Sequence, residues 1–381
     1  MPQTSPIYLD YNATTPLAPE VWAAMRPWFE QHFGNPSSSH AFGRPARAAV
    51  ENARGEVARL LGASPEEIVF TGGGTEANNL AIIGAAQVPS ERGRHLVTTA
   101  VEHPAVLEVC RWLAGHGFEL TVVPVDGCGR VDPAAIQAAL TPRTILVSVM
   151  HANNEVGTVQ PLAEIAALTR PRGVLLHADA AQSAGKIPVR VDELGVDLLT
   201  VAGHKLYAPK GVGALYVRRG VRLARVTHGA GQEGGLRPGT ENVPAIVGLG
   251  AACRLADDET ASRPAELRAC RDLLWQLLAA DLADIRWHGQ PASLLPNTLS
   301  VGFRGVSAAA LMQALEGFLA VSAGAACHSA GVTLSATLRA MGVPEEYAAG
   351  TLRFSAGRPT TAAEVRAAAG AVIGAVRSLR G

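Results

Sequence analysis

Only three of the 33 basic residues are lysines: Lys186, Lys205 and Lys210. Arginine cannot condense with a carbonyl, so a lysine kept in an arginine-using chain is a candidate for Schiff-base chemistry. Lys205 stands just beyond the apolar run Asp197–Val201, which makes it a better candidate than Lys186 or Lys210. A surface-loop lysine is the plain alternative. Asp179 follows a second apolar run, Gly173–His177, where a carboxylate is costly unless a cation or strong donor meets it. A pyridinium nitrogen would be such a partner, and keeping it protonated makes the ring an electron sink. Asp179 would equally serve as the N-cap of a helix.

Other residues with usable chemistry recur after apolar runs. Gly72-Gly73-Gly74-Thr75 leads into a helix-like segment, where backbone N–H groups and the Thr75 hydroxyl would meet an anion, or where the glycines only make a turn. His103, in Glu102-His103-Pro104, would stack on a planar ring, handle a proton, or cap the helix that Pro104 begins. Asn153, Asn154 and Glu155 offer polar groups to a carboxylate or phenolic oxygen, and suit a turn as well. Cys327 lies in a small-residue loop from Val321 to Gly331, where a thiol can be exposed and move, while Cys110, Cys253 and Cys270 sit in helix-like contexts. Cys128 is also in a glycine-rich turn. Arg353 would grip a carboxylate with two N–H groups or form an ion pair between domains.

These positions imply a scaffold. Seven β-rich runs, Glu67–Thr71, His95–Thr99, Leu120–Pro124, Thr144–Val149, Gly173–His177, Asp197–Val201 and Ala214–Val217, alternate with helix-like segments. Most are almost continuously apolar, as strands covered on both faces must be, so the fold class is α/β with a mostly parallel seven-stranded sheet. Ligands in such sheets gather beyond the carboxyl ends of the strands, where the residues above lie. Near Ala252 the pattern changes to a helix over Pro264–Ala280 and then to shorter mixed elements, which predicts a smaller α+β domain. The large domain is placed at 15–255, with 1–14 and 256–381 forming the small one.

At 381 residues the chain exceeds the size of a single typical core. Charged residues make up 17% with a formal net charge of zero, and no basic run tracks a phosphate backbone, which speaks against nucleic acid. Met1–Asp10 has no signal-peptide pattern and no run approaches about 20 apolar residues, so the expectation is a soluble, cytoplasmic protein without a membrane partner. Five cysteines without a CxxC pair argue against a zinc site or a disulfide framework.

The motifs together resemble the NifS/IscS-type cysteine desulfurases, in the class V aminotransferase fold group. Tyr8–Pro16 (YLDYNATTP), Phe33–Ser38 (FGNPSS), TEANN after the glycines, Glu102–Leu107 (EHPAVL), Ala152–Gly157 (ANNEVG), HADAAQ, Gly203–Gly211 (GHKLYAPKG), Arg237–Asn242 (RPGTEN), Gly324–Gly331 (GAACHSAG) and Arg353–Arg358 (RFSAGR) follow in family order. The resemblance implies a type I fold enzyme that uses pyridoxal 5'-phosphate (PLP). Lys205 would hold PLP as a Schiff base and move the substrate proton, His103 would stack on the ring, and Asp179 would pair with its nitrogen. Gln182 and Asn154 would contact the phenolic oxygen, with Asn154 and Arg353 near the substrate carboxylate. Gly74, Thr75 and His204 would hold the phosphate, and Thr240 would reach it from the second subunit of a homodimer.

Cys327 would take sulfur from L-cysteine as a persulfide, releasing alanine, and pass it to an iron–sulfur scaffold or a tRNA-thiolation protein. The only metal role implied is transient iron–sulfur ligation through Cys327. Selenocysteine lyase and cysteine-sulfinate desulfinase are the neighbouring activities, and a non-catalytic scaffold subunit is the remote one. Two positions depart from the family pattern: Ala202, where many relatives carry a hydroxyl or thiol, and Gly234, where relatives usually carry Arg. The first would remove one phosphate hydrogen bond, and the second alters contacts between subunits. The sequence ends at Gly381 soon after its last helix, without the longer tail that some relatives use to dock a scaffold protein.

Overall fold

The computed structural model describes residues 6–89, 93–289, 293–328 and 331–381, with the main chain alone for 325–328 and 331–333. All seven anticipated strands form: β1 (Ile68–Thr71), β2 (His95–Thr99), β3 (Glu119–Val123), β4 (Thr144–Ser148), β5 (Leu175–Asp179), β6 (Leu198–Ala202) and β7 (Gly213–Val217). They make one sheet in the order β1-β7-β6-β5-β4-β2-β3. The pairs β2/β3, β2/β4, β4/β5 and β5/β6 are parallel, while β7 runs antiparallel to both β6 and β1. Six strands therefore share one direction, β1 included, and their carboxyl ends lie along one edge.

The side-chain period of two splits each strand between two cores. Leu96, Leu146, Leu198 and Leu215 face α2 (Gly74–Ala86) and α3 (Pro104–Ala114), which contribute Leu80, Ile82, Val106 and Cys110. Val97, Val147, Leu176 and Leu199 face the opposite side, where α1 (Gly43–Leu61) and α4 (Val243–Glu259) bring Val50, Val57, Ile246 and Leu249. Covering both faces is what makes the strand sequences apolar throughout, and β1, β2, β4, β5 and β6 are buried along almost their whole length. Edge strand β3 is the exception, with Glu119 and Val122 exposed.

Beyond α4, helix α5 (Arg263–Asp281) occupies the region anticipated as helical. It packs with α6 (Ala362–Arg380) on a four-stranded antiparallel sheet of β8 (Ile285–His288), β9 (Thr298–Phe303), β10 (Ser322–Ala323) and β13 (Thr351–Ser355), ordered β10-β13-β9-β8. Leu274, Leu278, Val301, Phe303, Phe354, Val372 and Val376 form its core, which also takes in Leu9 from the start of the chain.

The segment read as an irregular loop around Cys327 is instead a hairpin of β11 (Ala325–His328) and β12 (Gly331–Leu334), with Cys327 opposite Val332. Its alanines and glycines hide strand pairing from pattern reading, because alternation needs a contrast between apolar and polar residues. The side chain of Cys327 lies outside the described residues. No described helix is long and apolar enough to cross a membrane.

Candidate active site

The carboxyl ends of the parallel strands surround a cavity of about 280 Å3, lined by Gly74, Thr75, His103, Asn154, Asp179, Gln182, His204, Lys205 and Arg353, with Asn12, Asn78 and Ala202 beside them. Every site residue anticipated from the sequence meets there except two. Thr240 is exposed and does not line the cavity of its own chain, and Cys327 has only its main chain described.

Strand β1 runs through Gly72 into α2, and Gly73 caps that helix at φ 146° and ψ −179°, a region open essentially to glycine alone. The turn is tied by Glu76, whose carboxylate accepts from Gly72 N–H at 2.7 Å and from Arg237 Nε at 2.9 Å. A Cβ on Gly74 would lie 3.1 Å from the Cβ of Ala202, so the small side chain at 202 lets strand and turn close together. After β2, His103 is the N-cap of α3, with Nδ1 accepting from Ala105 N–H at 3.1 Å, while the ring also lines the cavity. The same side chain thus caps the helix and lines the cavity, so the cap does not exclude the ring-stacking reading. Burial lowers the pKa of His103, which Asp179 raises and Lys205 lowers further.

Asp179 is the last residue of β5 and no helix begins there, so the N-cap alternative gives way to a buried carboxylate. Its Oδ1 accepts from Ala181 N–H at 2.9 Å and its Oδ2 from Asn78 Nδ2 at 2.7 Å. One donor on each oxygen leaves each a lone pair for a cationic partner. Asn78, 1% exposed, has an Oδ1 with no partner among the described residues.

Lys205 closes the short turn Gly203–Lys205 after β6. Its Nζ donates to the main-chain carbonyls of Asn12 at 2.5 Å and Ala13 at 2.8 Å. Burial, then the charge of Arg353, lowers its pKa to about 8, against the pull of Asp10 and Asp179. The neighbouring His204 is lowered to about 4, first by burial and then by Lys205 and Lys210, and its Nδ1 lies 3.2 Å from Thr14 Oγ1. Arg353, on β13, spans the two sheets: Nη1 donates to the Asn154 carbonyl at 2.9 Å, and Nη2 pairs with Asp10 at 2.7 Å and Ser322 Oγ at 2.8 Å. Its buried Nε has no partner among the described residues. Glu102, fully buried, accepts from Thr99 Oγ1 and Met150 N–H, and burial raises its pKa to about 8.

Cys110 and Cys253 are buried and their thiols are pushed upward by burial, Cys110 to about 12, which leaves them unreactive. Among the described residues no group of three or more His, Cys, Asp or Glu is placed to hold a metal. A larger groove of about 1010 Å3 lies elsewhere, beside Arg54 and Glu233, whose carboxylate is already closed by the Arg54 guanidinium at 2.7 Å and by Phe70 N–H.

The family model for class-V aminotransferases matches residues 7–367. A cysteine desulfurase IscS of Anaeromyxobacter sp. (strain Fw109-5) is 50% identical over 98% of this chain and 93% of its own, and that of Pseudomonas aeruginosa PAO1 is 48% identical over 98% and 94%. The solved structure of a NifS-like protein superposes with a TM-score of 0.92 at 36% identity, covering 98% of this chain and all of that one. Another, SspA in complex with cysteine, gives 0.81 at 37% identity over 92% and 98%. The chain is a class-V aminotransferase family member, of the cysteine desulfurase branch.

Cysteine desulfurases of this family are PLP-dependent, and the cavity fits that cofactor on its own chemistry. It offers a lysine with a lowered pKa, a doubly anchored buried carboxylate for a ring nitrogen and a glycine-opened helix N-terminus for a phosphate. Ala202 contributes only a methyl there. Gly234 sits exposed at φ 62°, a conformation that suits glycine.

Pattern reading assigned no role to Asn12 or Asn78, although both stand inside quoted motifs. Asn12, 1% exposed, accepts from Lys186 Nζ and Asn297 Nδ2, donates to Thr298 Oγ1 and the Asn154 carbonyl, and lends its own carbonyl to Lys205 and Gln182. The available signal was a carboxamide next to Asp10 and Tyr11 in the motif YLDYNATTP.

Proposed function

We propose that the chain is a PLP-dependent cysteine desulfurase that converts L-cysteine to L-alanine and keeps the sulfur as a persulfide on Cys327. The observation that carries this reading is the convergence of Lys205 and Asp179 on one cavity, with Arg353 at its rim. Lys205 would hold PLP covalently, with Asp179 at the ring nitrogen, His103 over the ring, Gln182 and Asn154 toward the phenolic oxygen, and Gly74, Thr75 and His204 around the phosphate. Bound there, PLP supplies an electron sink for bond cleavage next to the substrate amine.

The protein's own groups then have distinct tasks. Arg353, which lines the cavity, holds the substrate carboxylate through its guanidinium. Lys205, with its pKa lowered to about 8, carries a proton to and from the substrate Cα. Cys327 attacks the substrate sulfur; the C–S bond breaks, an S–S bond forms, and the carbon recovers a proton, so cysteine and a thiol give alanine and a persulfide. The hairpin that bears Cys327 is anchored beside the site by Ser335, whose hydroxyl donates to Glu155.

In this reading residues 15–255 form the PLP-binding domain and 1–14 with 256–381 the domain that carries Cys327. The enzyme works as a cytoplasmic homodimer in which Thr240 of one subunit reaches the phosphate in the other. A sulfur-acceptor protein of iron–sulfur cluster assembly or tRNA thiolation takes the persulfide. To test it, the protein is reduced with borohydride in the presence of PLP and digested, and its rates on L-cysteine, selenocysteine and cysteine sulfinate are compared. A PLP adduct on Lys205 and a preference for L-cysteine are expected. A colourless protein without the adduct, or a strong preference for either other substrate, would overturn the reading.

A further inference from the structure

Lys186 is buried, yet it does not line the cavity. It sits four residues after Gln182 in the turn that follows β5, and its Nζ makes two hydrogen bonds, to Gln182 Oε1 at 2.8 Å and Asn12 Oδ1 at 2.9 Å. Neither partner is a carboxylate. A buried lysine satisfied only by amide oxygens is a costly choice for mere packing, since desolvation opposes its charge without an anion to offset it. What lysine offers here is a tip that donates to both oxygens whether it is charged or neutral.

That tip decides which way two carboxamides face. With Oε1 turned to Lys186, Gln182 must point Nε2 the other way, where one N–H donates to the Asn12 carbonyl at 2.9 Å. The second Nε2 hydrogen is left for the cavity that Gln182 lines. The Asn12 carbonyl that steadies Nε2 is also the one that accepts from Lys205 at 2.5 Å. Asn12 is in turn held through its side-chain oxygen by Lys186, together with Asn297 at 2.9 Å. Lys186 therefore holds Gln182 directly and also braces Asn12, which Asn297, Thr298 and the Asn154 carbonyl hold as well.

We propose that Lys186 is a positioning residue that locks the Gln182 carboxamide so that a donor, not an acceptor, faces an anionic oxygen of the ligand in the cavity. The proposal rests on the PLP reading and adds to it the residue that fixes the polarity of one wall. Without Lys186 only the bond from Nε2 to the Asn12 carbonyl resists a turn of the amide that brings its oxygen inward, where two acceptors would oppose each other.

A double-mutant cycle tests this. PLP affinity by equilibrium titration and the visible absorption maximum of the bound cofactor are measured for wild type, Lys186→Met, Gln182→Ala and the double variant. Each single change is expected to weaken PLP binding roughly tenfold, the scale of one hydrogen bond to a charged group, and to shift the band in the same direction. The double variant is expected to be no worse than the poorer single variant. Effects that multiply in the double variant, or a Lys186→Met protein indistinguishable from wild type, would overturn the proposal while leaving the cofactor reading intact. A wild-type protein that binds no PLP would overturn both. Should Lys186→Met fail to fold, the cycle is run with Lys186→Gln, which keeps an amide donor but is too short to reach both oxygens; an unshifted band would again contradict the role.

Discussion

Lys205 owes its reactivity to where its amine is parked. Two main-chain carbonyls hold it, but no carboxylate among the described residues pairs with it directly, so burial and the Arg353 charge prevail and bring its pKa to about 8. A lowered pKa means that the amine is protonated and inert below that value and nucleophilic above it. PLP uptake by the apoenzyme should therefore rise with pH through a midpoint near 8; a midpoint near the ordinary lysine value of about 10.4 would contradict the burial argument. Lys205 and Asp179 were legible in the sequence because reactive residue types are informative where an apolar run ends. Asn78 was not, because its role exists only through a hydrogen bond to Asp179 across 101 positions. Lys186 was set aside as the weaker lysine for the same reason, since its partner Asn12 lies 174 positions away.

At the scale of elements, the turn between β1 and α2 carries the largest conformational demand near the site. Gly73 adopts φ 146°, so although a Cβ there would meet nothing within 4 Å, the backbone conformation itself excludes a side chain, while on β7 a Cβ on Gly213 would fall 2.8 Å from the Gly73 carbonyl carbon. Gly73→Ala is expected to cost about 1–3 kcal/mol of stability through forced backbone strain, read as a lower Tm, and to weaken PLP binding by displacing the helix N-terminus. An unchanged Tm and affinity would show that the turn tolerates a side chain. The seven strands were readable because burial on both faces leaves runs of apolar, β-branched residues. Their limits moved by a residue or two, enough to put Asp179 and Ala202 inside strands. The hairpin at Cys327 escaped notice because its small residues carry no periodic contrast.

Across the whole molecule, the site exists because residues far apart in the chain meet at its rim. Asp10 and Arg353 form an ion pair with little exposure, and Asn12 hydrogen-bonds to Thr298 and Asn297. Asp10→Asn is expected to loosen Arg353 and raise KM for L-cysteine roughly tenfold, with a smaller effect on kcat, as loss of one charge-assisted contact predicts; an unchanged KM would remove Asp10 from the substrate grip. An ion pair for Arg353 was open on sequence grounds, but its partner was not legible, since no local pattern brings position 10 to position 353. The most direct test of sulfur transfer itself measures alanine released from L-cysteine by the PLP-loaded protein and by its Cys327→Ala variant, with a reductant present. Loss of sustained alanine formation in the variant, with PLP still bound at Lys205, is the predicted result, and a Cys327→Ala protein that turns over cysteine at the wild-type rate would contradict it.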